Sequence, residues 1–143
     1  MNRRRFVALI GSALAAPLLA RAQRARRPFR IAYPFGVPLS DIAPLIAAFE
    51  QGLRDLGHVP GQDILLEYRS ADGKLERYPE VVREVMDSRP DLIITGTNIN
   101  TIAVKAATQT IPVVMMGGTN VVEVGLVKSL ARPGGNITGL RRL

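Results

Sequence analysis

One stretch of the chain, Leu92–Asn100, sets the strongest limit on what the sequence can fold into. It begins with Leu92–Thr95, four apolar or β-branched residues with no polar alternation. Such a run is typical of a strand that is covered on both faces of a parallel sheet. Gly96 follows, and Thr97 then offers the kind of side chain that caps a helix, as Asn98 does. The stretch therefore predicts a buried strand, a glycine turn and a helix N-terminus.

The rest of the chain repeats this alternation. Continuous apolar runs predict strands at Phe29–Phe35, Ile64–Tyr68, Leu92–Thr95, Ile111–Met116 and Ile137–Leu140. Helical spacing predicts one helix that is capped by Ser40 or Asp41 and ended by Gly57, and others over Tyr78–Ser88, Asn98–Gln109 and Val124–Leu130. Strand and helix in turn predict the α/β class, here a three-layer, doubly wound parallel sheet in the order 2-1-3-4-5.

Each of the first three predicted helices has an apolar stripe that should face the sheet. In the first, the stripe is Ile42, Leu45, Ile46, Phe49, Leu53 and Leu56; in the second, Tyr78, Val81, Val82, Val85 and Met86; in the third, Ile102, Ala103, Ala106 and Ala107.

Three loops should meet at the edge where the strands end, which is where open parallel sheets bind ligands. They are Phe35–Asp41, Gly96–Asn100 and Gly117–Asn120. The candidate ligand-binding residues on them are Phe35, Ser40, Thr95, Gly96, Thr97, Asn98, Gly117, Thr119 and Asn120. Hydroxyls, amides and helix N–H groups suit hydrogen bonding to a small zwitterion or carboxylate rather than proton transfer. Local capping and turn formation explain the same residues equally well, and for Asn120 turn formation is the favoured interpretation.

The first 22 residues have the three parts of an export signal in order. Arg3–Arg5 form a basic region, Phe6–Leu19 are apolar but too short to cross a membrane, and Ala20–Ala22 offer a small-x-small cleavage site. The arginines followed by Phe6 also resemble the core of a twin-arginine signal. We therefore predict a signal peptide over 1–22, a basic mature N-terminus over 23–30, an α/β lobe over 31–143 and a periplasmic location. An uncleaved amphipathic tail is the alternative.

The net charge of +7 comes from the two ends of the chain. Residues 31–140 hold 9 Lys and Arg against 12 Asp and Glu, a net charge of −3. This composition gives no basic face, so no nucleic-acid partner is predicted. The chain has no cysteine, which excludes disulfides and thiolate metal sites.

The sequence offers little for catalysis. Its one histidine, His58, falls in a predicted turn at the edge opposite the candidate site, and the scattered aspartates Asp63, Asp72, Asp87 and Asp91 are interpreted as solubilising. The nucleophile elbow, the phosphate-binding loop and the spacing of a metal site are all missing, so no enzyme activity, cofactor or metal is predicted. An exported α/β enzyme domain with an unrecognised site remains the alternative.

Four segments together resemble one family, the periplasmic substrate-binding proteins of ABC transporters associated with tryptophan and tyrosine uptake. They are the signal ending in Ala20–Gln23, the phrases Phe49–Gly57 and Ala107–Val114, and above all Gly125–Gly139, which reads GLVKSLARPGGNITG. The resemblance implies a type I periplasmic-binding fold, in which two lobes close on a small-molecule solute and deliver it to a membrane permease without chemistry. It places the ligand-facing positions at Phe35 after the first strand, at Thr95–Thr97 after the third and at Gly117–Asn120 after the fourth.

Two departures from the family matter. Members often have Asp-Pro where this chain has Asn120-Val121, so the carboxylate that would contact a ligand amine is missing here. Members also run to about twice this length, which leads us to expect the N-terminal lobe alone, with the second lobe absent by truncation. A fragment without function is the alternative that this expectation leaves open.

Overall fold

The structure is a computed structural model that describes residues 27–141. The predicted signal peptide, 1–22, lies outside the described residues, as does the start of the predicted basic segment 23–30.

Five parallel strands form one sheet, in the order β2-β1-β3-β4-β5. The strands are β1 (Phe29–Phe35), β2 (Ile64–Ser70), β3 (Leu92–Thr95), β4 (Val113–Gly118) and β5 (Ile137–Arg141). The helices are α1 (Ala43–Asp55), α2 (Tyr78–Asp87) and α3 (Asn98–Ala107). The predicted α/β class, parallel sheet and strand order are confirmed. No helix within 27–141 combines the length and apolarity needed to cross a membrane.

The core lies on both faces of the sheet. On one face, α2 and α3 cover a buried cluster that includes Val81, Val85, Ile93, Val104 and Val113. On the other face, α1 packs against a smaller cluster of Ile31, Tyr33, Phe35, Ile64 and Ile94. The buried face predicted for α2 is confirmed, with Met86 only partly buried.

Helix α1 sits more loosely than its stripe predicts, because none of its residues is fully buried. Ile46, Phe49 and Leu53 contact the sheet, but Leu45 and Leu56 are 50% and 78% exposed. Burial of Leu45 and Leu56 was therefore wrongly predicted.

The start of α1 also differs from the prediction. Neither Ser40 nor Asp41 caps the helix; a 3-10 turn over Leu39–Ile42 leads into it, and the Ser40 hydroxyl donates to the Asp41 carboxylate instead. Pro44 in the first turn has no N–H to be capped, which reduces the need for a capping side chain. At the other end, Gly57 (φ +86°) closes the helix as predicted.

Of the inner face predicted for α3, only Ala103 packs against the core, where it is partly buried. Thr101 and Val104 are fully buried, whereas Ile102 is 49% exposed and Ala106 and Ala107 face outward. The Thr101 hydroxyl donates to the Thr97 carbonyl at 2.7 Å, so this polar side chain is satisfied inside the core. A pattern that counts only apolar residues cannot show this.

The helix predicted over Val124–Leu130 is absent, and successive turns take its place. Gly125 adopts φ +72°, which a right-handed helix does not allow, and Leu126 N–H donates back to the Val121 carbonyl. Val121 and Leu126 are nevertheless buried, so the turns contribute their apolar side chains to the core as a helix would have done.

Two of the aspartates interpreted as solubilising hold the amino edge of the sheet, where the strands begin. Asp91 accepts the Arg30 N–H at 2.9 Å and pairs with Arg27 at 2.7 Å. Asp63 pairs with His58 at 2.8 Å and accepts the Val59 N–H, and these bonds lower the pKa of Asp63.

Candidate functional site

A gap opens at the carboxyl edge of the sheet, where the strands end, because β1 and β3 stop pairing early. Their ladder ends at the pair Ala32–Ile93, two residues before Pro34. Proline has no N–H with which to extend a ladder. By contrast, β1 stays paired with β2 as far as Phe35. The ends of β1 and β3 are therefore free to hold a cavity between the turns that follow them.

That cavity has a volume of about 350 Å³. It is lined by Tyr33, Phe35, Gly36, Val37, Ile42, Leu45, Leu75, Gly96, Thr97, Ile99 and Asn100. None of these side chains is charged. The rings of Tyr33 and Phe35 stack with centroids 4.0 Å apart, and Phe49 meets Tyr33 edge to face at 6.2 Å. We call this site the aromatic cavity.

The turn from β3 to α3 is fixed by three threonines. Thr97, one of the capping residues predicted for this turn, is the N-cap of α3, and its hydroxyl accepts the Asn100 N–H at 3.3 Å. Below it, the hydroxyls of Thr95 and Thr101 form a hydrogen bond of 2.7 Å inside the core. This network determines where the α3 N-terminus and Gly96 stand relative to the aromatic cavity.

The structure brings together some of the candidate residues but not all of them. Phe35, Gly96 and Thr97 line the aromatic cavity. The side chain of Thr95 is fully buried in the core, so here it positions the turn and does not line the cavity. Ser40 is exposed beside Asp41 and lies outside the lining.

Asn98 connects the second and third predicted loops. Its side-chain amide donates to the Thr119 carbonyl at 2.6 Å, and its side-chain oxygen accepts the Thr119 N–H at 3.2 Å. Both halves of the carboxamide are thus used to hold the chain after β4. The loops after β1, β3 and β4 lie side by side at the carboxyl edge, as predicted.

Replacing Asn98 by alanine should loosen the segment after β4. Loss of the two bonds to Thr119 should cost about 1 kcal/mol of stability and speed hydrogen exchange at the Thr119 amide roughly fivefold. Exchange measured by NMR tests this directly. Asn98→Asp keeps an acceptor for that amide and should retain most of the protection; equal exchange rates in the alanine variant and the natural chain would contradict the assignment.

The third predicted loop needs one correction, because Gly117 and Gly118 belong to β4. The loop therefore begins only at Thr119. Asn120 adopts φ +47°, a left-handed conformation that asparagine tolerates, and its carbonyl accepts the Val124 N–H at 3.0 Å. This geometry agrees with a turn-forming role for Asn120.

The candidate list omitted eight residues that line the cavity: Tyr33, Gly36, Val37, Ile42, Leu45, Leu75, Ile99 and Asn100. Tyr33 is an internal residue of the predicted strand Phe29–Phe35, away from the loops in which candidates were sought. Burial raises the pKa of its hydroxyl, which is the expected effect of low solvation on a phenol. Alternation along β1 could have signalled it, because Tyr33 and Phe35 point to the same face.

A larger recess of about 530 Å³ lies at the amino edge, beside the end of α3. Its wall includes Gly134, Lys128 and Lys105, and the Lys105 amine donates to the Gly125 carbonyl. The stem of Lys128 lies over Gly134, since a Cβ there would be 2.7 Å from Lys128 Cδ. Turns bound this recess, whereas strand ends and a helix N-terminus bound the aromatic cavity, which is the arrangement typical of ligand sites in parallel sheets.

A family model and a curated relative both resemble this chain. A family model described as ABC transporter substrate binding protein matches residues 43–142. The chain is 33% identical over 91 residues to a tyrosine-binding protein of Clostridioides difficile, a match that covers 64% of this chain and 26% of that protein.

Solved structures share the fold. A conserved domain protein from Vibrio cholerae is 27% identical, with a TM-score of 0.73 over 82% of this chain and 40% of that one. An ABC domain from Streptococcus pneumoniae in complex with L-Trp is 21% identical, with a TM-score of 0.70 over 80% of this chain and 38% of that one. This chain therefore spans well under half the length of the relatives it matches.

Proposed function

The chain belongs to the family of ABC transporter substrate-binding proteins, and we propose that it supplies one ligand-binding lobe of a receptor for a small organic solute, with aromatic amino acids as the solute class. The observation that carries the proposal is the aromatic cavity at the carboxyl edge. Its stacked Tyr33 and Phe35 offer an apolar, flat surface to an aromatic side chain. The names of two relatives, which refer to tyrosine and L-Trp, support the same class.

The receptor binds its solute without chemical change. Within the described residues, the cavity wall holds no carboxylate, imidazole, amine or thiol that could act as a base or nucleophile. Phe35, Gly96 and Thr97 supply the first contacts, and the segment from Gly117 to Asn120, held by Asn98, borders them.

A second body closes over the cavity. Four aliphatic side chains of the wall are strongly exposed: Val37, Leu45, Leu75 and Ile99, at 45%, 50%, 62% and 67%. An exposed apolar patch around a cavity mouth is typical of an interaction surface. The matched relatives are much longer than this chain, which leaves room for the second lobe that the family resemblance implies. A solute held by one lobe alone keeps a face in water and binds weakly.

The proposed route follows from the family. Residues 1–22 direct export, by the general or the twin-arginine pathway, and the receptor works in the periplasm. It delivers the solute to the permease of an ABC transporter in the inner membrane.

An NMR titration of the full 143-residue chain tests the proposal. L-Phe and L-Trp should shift the amide signals of Gly36, Gly96 and Thr97, and L-Asp and L-Lys should leave them unchanged. Gly61, in a distant turn, serves as the internal control. Absence of shifts at the three cavity amides, or shifts centred on Gly134 at the other edge, would overturn the proposal.

A further inference from the structure

Two polar groups in the aromatic cavity have no hydrogen-bond partner among residues 27–141. Tyr33 and Asn100 are 4% and 8% exposed, so both are more than nine-tenths buried. Across residues 27–141, neither the Tyr33 hydroxyl nor the Asn100 carboxamide makes a hydrogen bond, although the backbone N–H of Asn100 is bonded to Thr97. Buried hydroxyls and amides are nearly always paired, since leaving them unpaired is costly.

The space beside each of these groups is kept open by a glycine. A Cβ built on Gly96 would lie 3.6 Å from the Tyr33 hydroxyl oxygen, and one built on Gly36 would lie 4.0 Å from Asn100 Oδ1. Neither polar atom is sealed in the core, because the one fully enclosed and unpaired side-chain atom among the described residues is Arg30 Nε, elsewhere in the sheet. Both groups are therefore available to whatever fills the cavity.

From this arrangement we infer that Tyr33 and Asn100 are specificity-determining residues, which select ligands whose apolar, flat portion carries a hydrogen-bonding atom such as a phenol hydroxyl or an indole N–H. The carboxamide can donate and accept, and so can the phenol, so together they match a group of either kind. The inference rests on the proposed function and adds to it the residues that discriminate among aromatic solutes.

Displacement of water explains why the Tyr33 hydroxyl and the Asn100 carboxamide discriminate between polar and apolar aromatic ligands. In the empty cavity, solvent can satisfy both. A ligand that expels this water without replacing its hydrogen bonds leaves the hydroxyl and the carboxamide unpaired, and it binds less well for that reason. A ligand with a matching polar atom avoids this loss, whereas a purely apolar ring does not.

A pair of uncharged probes isolates the effect. We compare 4-hydroxyphenylacetamide with phenylacetamide, which differ by one phenol hydroxyl, in NMR titrations of the full chain followed at Gly96 and Thr97. The hydroxylated probe should bind about tenfold more tightly to the natural chain. In Asn100→Leu, the preference should fall to about threefold, because the apolar probe no longer leaves the carboxamide unpaired and only the Tyr33 hydroxyl still discriminates.

Matched variants separate specificity from general damage. Tyr33→Phe keeps the stacked ring and should also reduce the preference, and it remains informative if Asn100→Leu fails to fold. Tyr68→Phe and Gln109→Leu make the same chemical changes outside the cavity, where Tyr68 bonds to Glu50 and Gln109 is exposed, and should retain the full preference.

The outcomes distinguish the two proposals. Equal binding of both probes to the natural chain, or a preference that survives in full in both cavity variants, would overturn the specificity assignment and leave the solute site in place. If neither probe nor any aromatic amino acid shifts the cavity signals, the proposed function fails, and the specificity assignment fails with it.

Discussion

Gly139→Ala should cost about 3 kcal/mol or more of stability, because β5 can no longer pair with β4 in its present register. Gly139 lies opposite Met115 in the ladder and has φ +149°, a conformation that residues with a side chain rarely adopt. A Cβ there would fall against the Met115 carbonyl oxygen and only 2.7 Å from the Met115 nitrogen. The obstacle is backbone, which cannot rotate away as a side chain can.

Urea unfolding followed by circular dichroism measures the loss. The free energy of unfolding of a domain is about 5–15 kcal/mol, so a loss of this size should clearly lower the urea concentration at the unfolding midpoint. Gly135→Ala is the matched control four residues earlier, since a Cβ there meets nothing within 4 Å and its φ is not left-handed. If Gly139→Ala were as stable as Gly135→Ala, the described pairing of β5 would be wrong.

The strands were predictable because a strand that is buried on both faces is a continuous apolar run in the sequence. Ile93 and Val113 belong to continuous apolar runs, and both are fully buried in the sheet. With strands and helices alternating, few topologies remain, and the 2-1-3-4-5 order follows from them. The edge that carries the loops follows in turn, since the carboxyl ends of parallel strands lie together.

The helix faces were less predictable, because side-chain hydrogen bonds can override apolar periodicity. Thr101 is polar in the sequence, but its bonds to Thr97 and Thr95 allow it to be buried, and Ile102 is left exposed beside it. The turns after β4 show a related effect: Gly125 in a left-handed conformation interrupts a helix that the apolar spacing had suggested.

The position of the candidate site was predicted more accurately than the residues that form it. Most of the candidates were polar, but two of these, Thr95 and Asn98, use their side chains to hold the turn and the neighbouring segment. The wall of the cavity includes the predicted Phe35, Gly96 and Thr97, together with Tyr33 and Gly36, which were not predicted. The open space beside Gly36 can be recognised only when the neighbours of this glycine in the fold are known.

Gly96→Ala should weaken aromatic ligands by roughly 10–100-fold, the range expected when one methyl group too many enters an apolar pocket. The new methyl would occupy the cavity 3.6 Å from the Tyr33 hydroxyl, an ordinary contact distance that the fold tolerates. Because Gly96 is not in a left-handed conformation, alanine should leave stability unchanged or raise it by about 0.4–1 kcal/mol. The variant should thus bind less well while folding at least as well, as measured by NMR titration with L-Phe and by urea unfolding.

Gly52→Ala gives the control that separates these two effects. Gly52 lies inside α1, and a methyl group added there would meet nothing within 4 Å, so alanine should stabilise the helix by about 0.5–1 kcal/mol and leave ligand affinity as it is. If Gly52→Ala gains stability and keeps its ligand affinity, while Gly96→Ala loses affinity without losing stability, the loss of affinity is caused by the methyl group in the cavity. Equal ligand affinity in Gly96→Ala, Gly52→Ala and the natural chain would mean that the solute does not enter the space between β1 and β3.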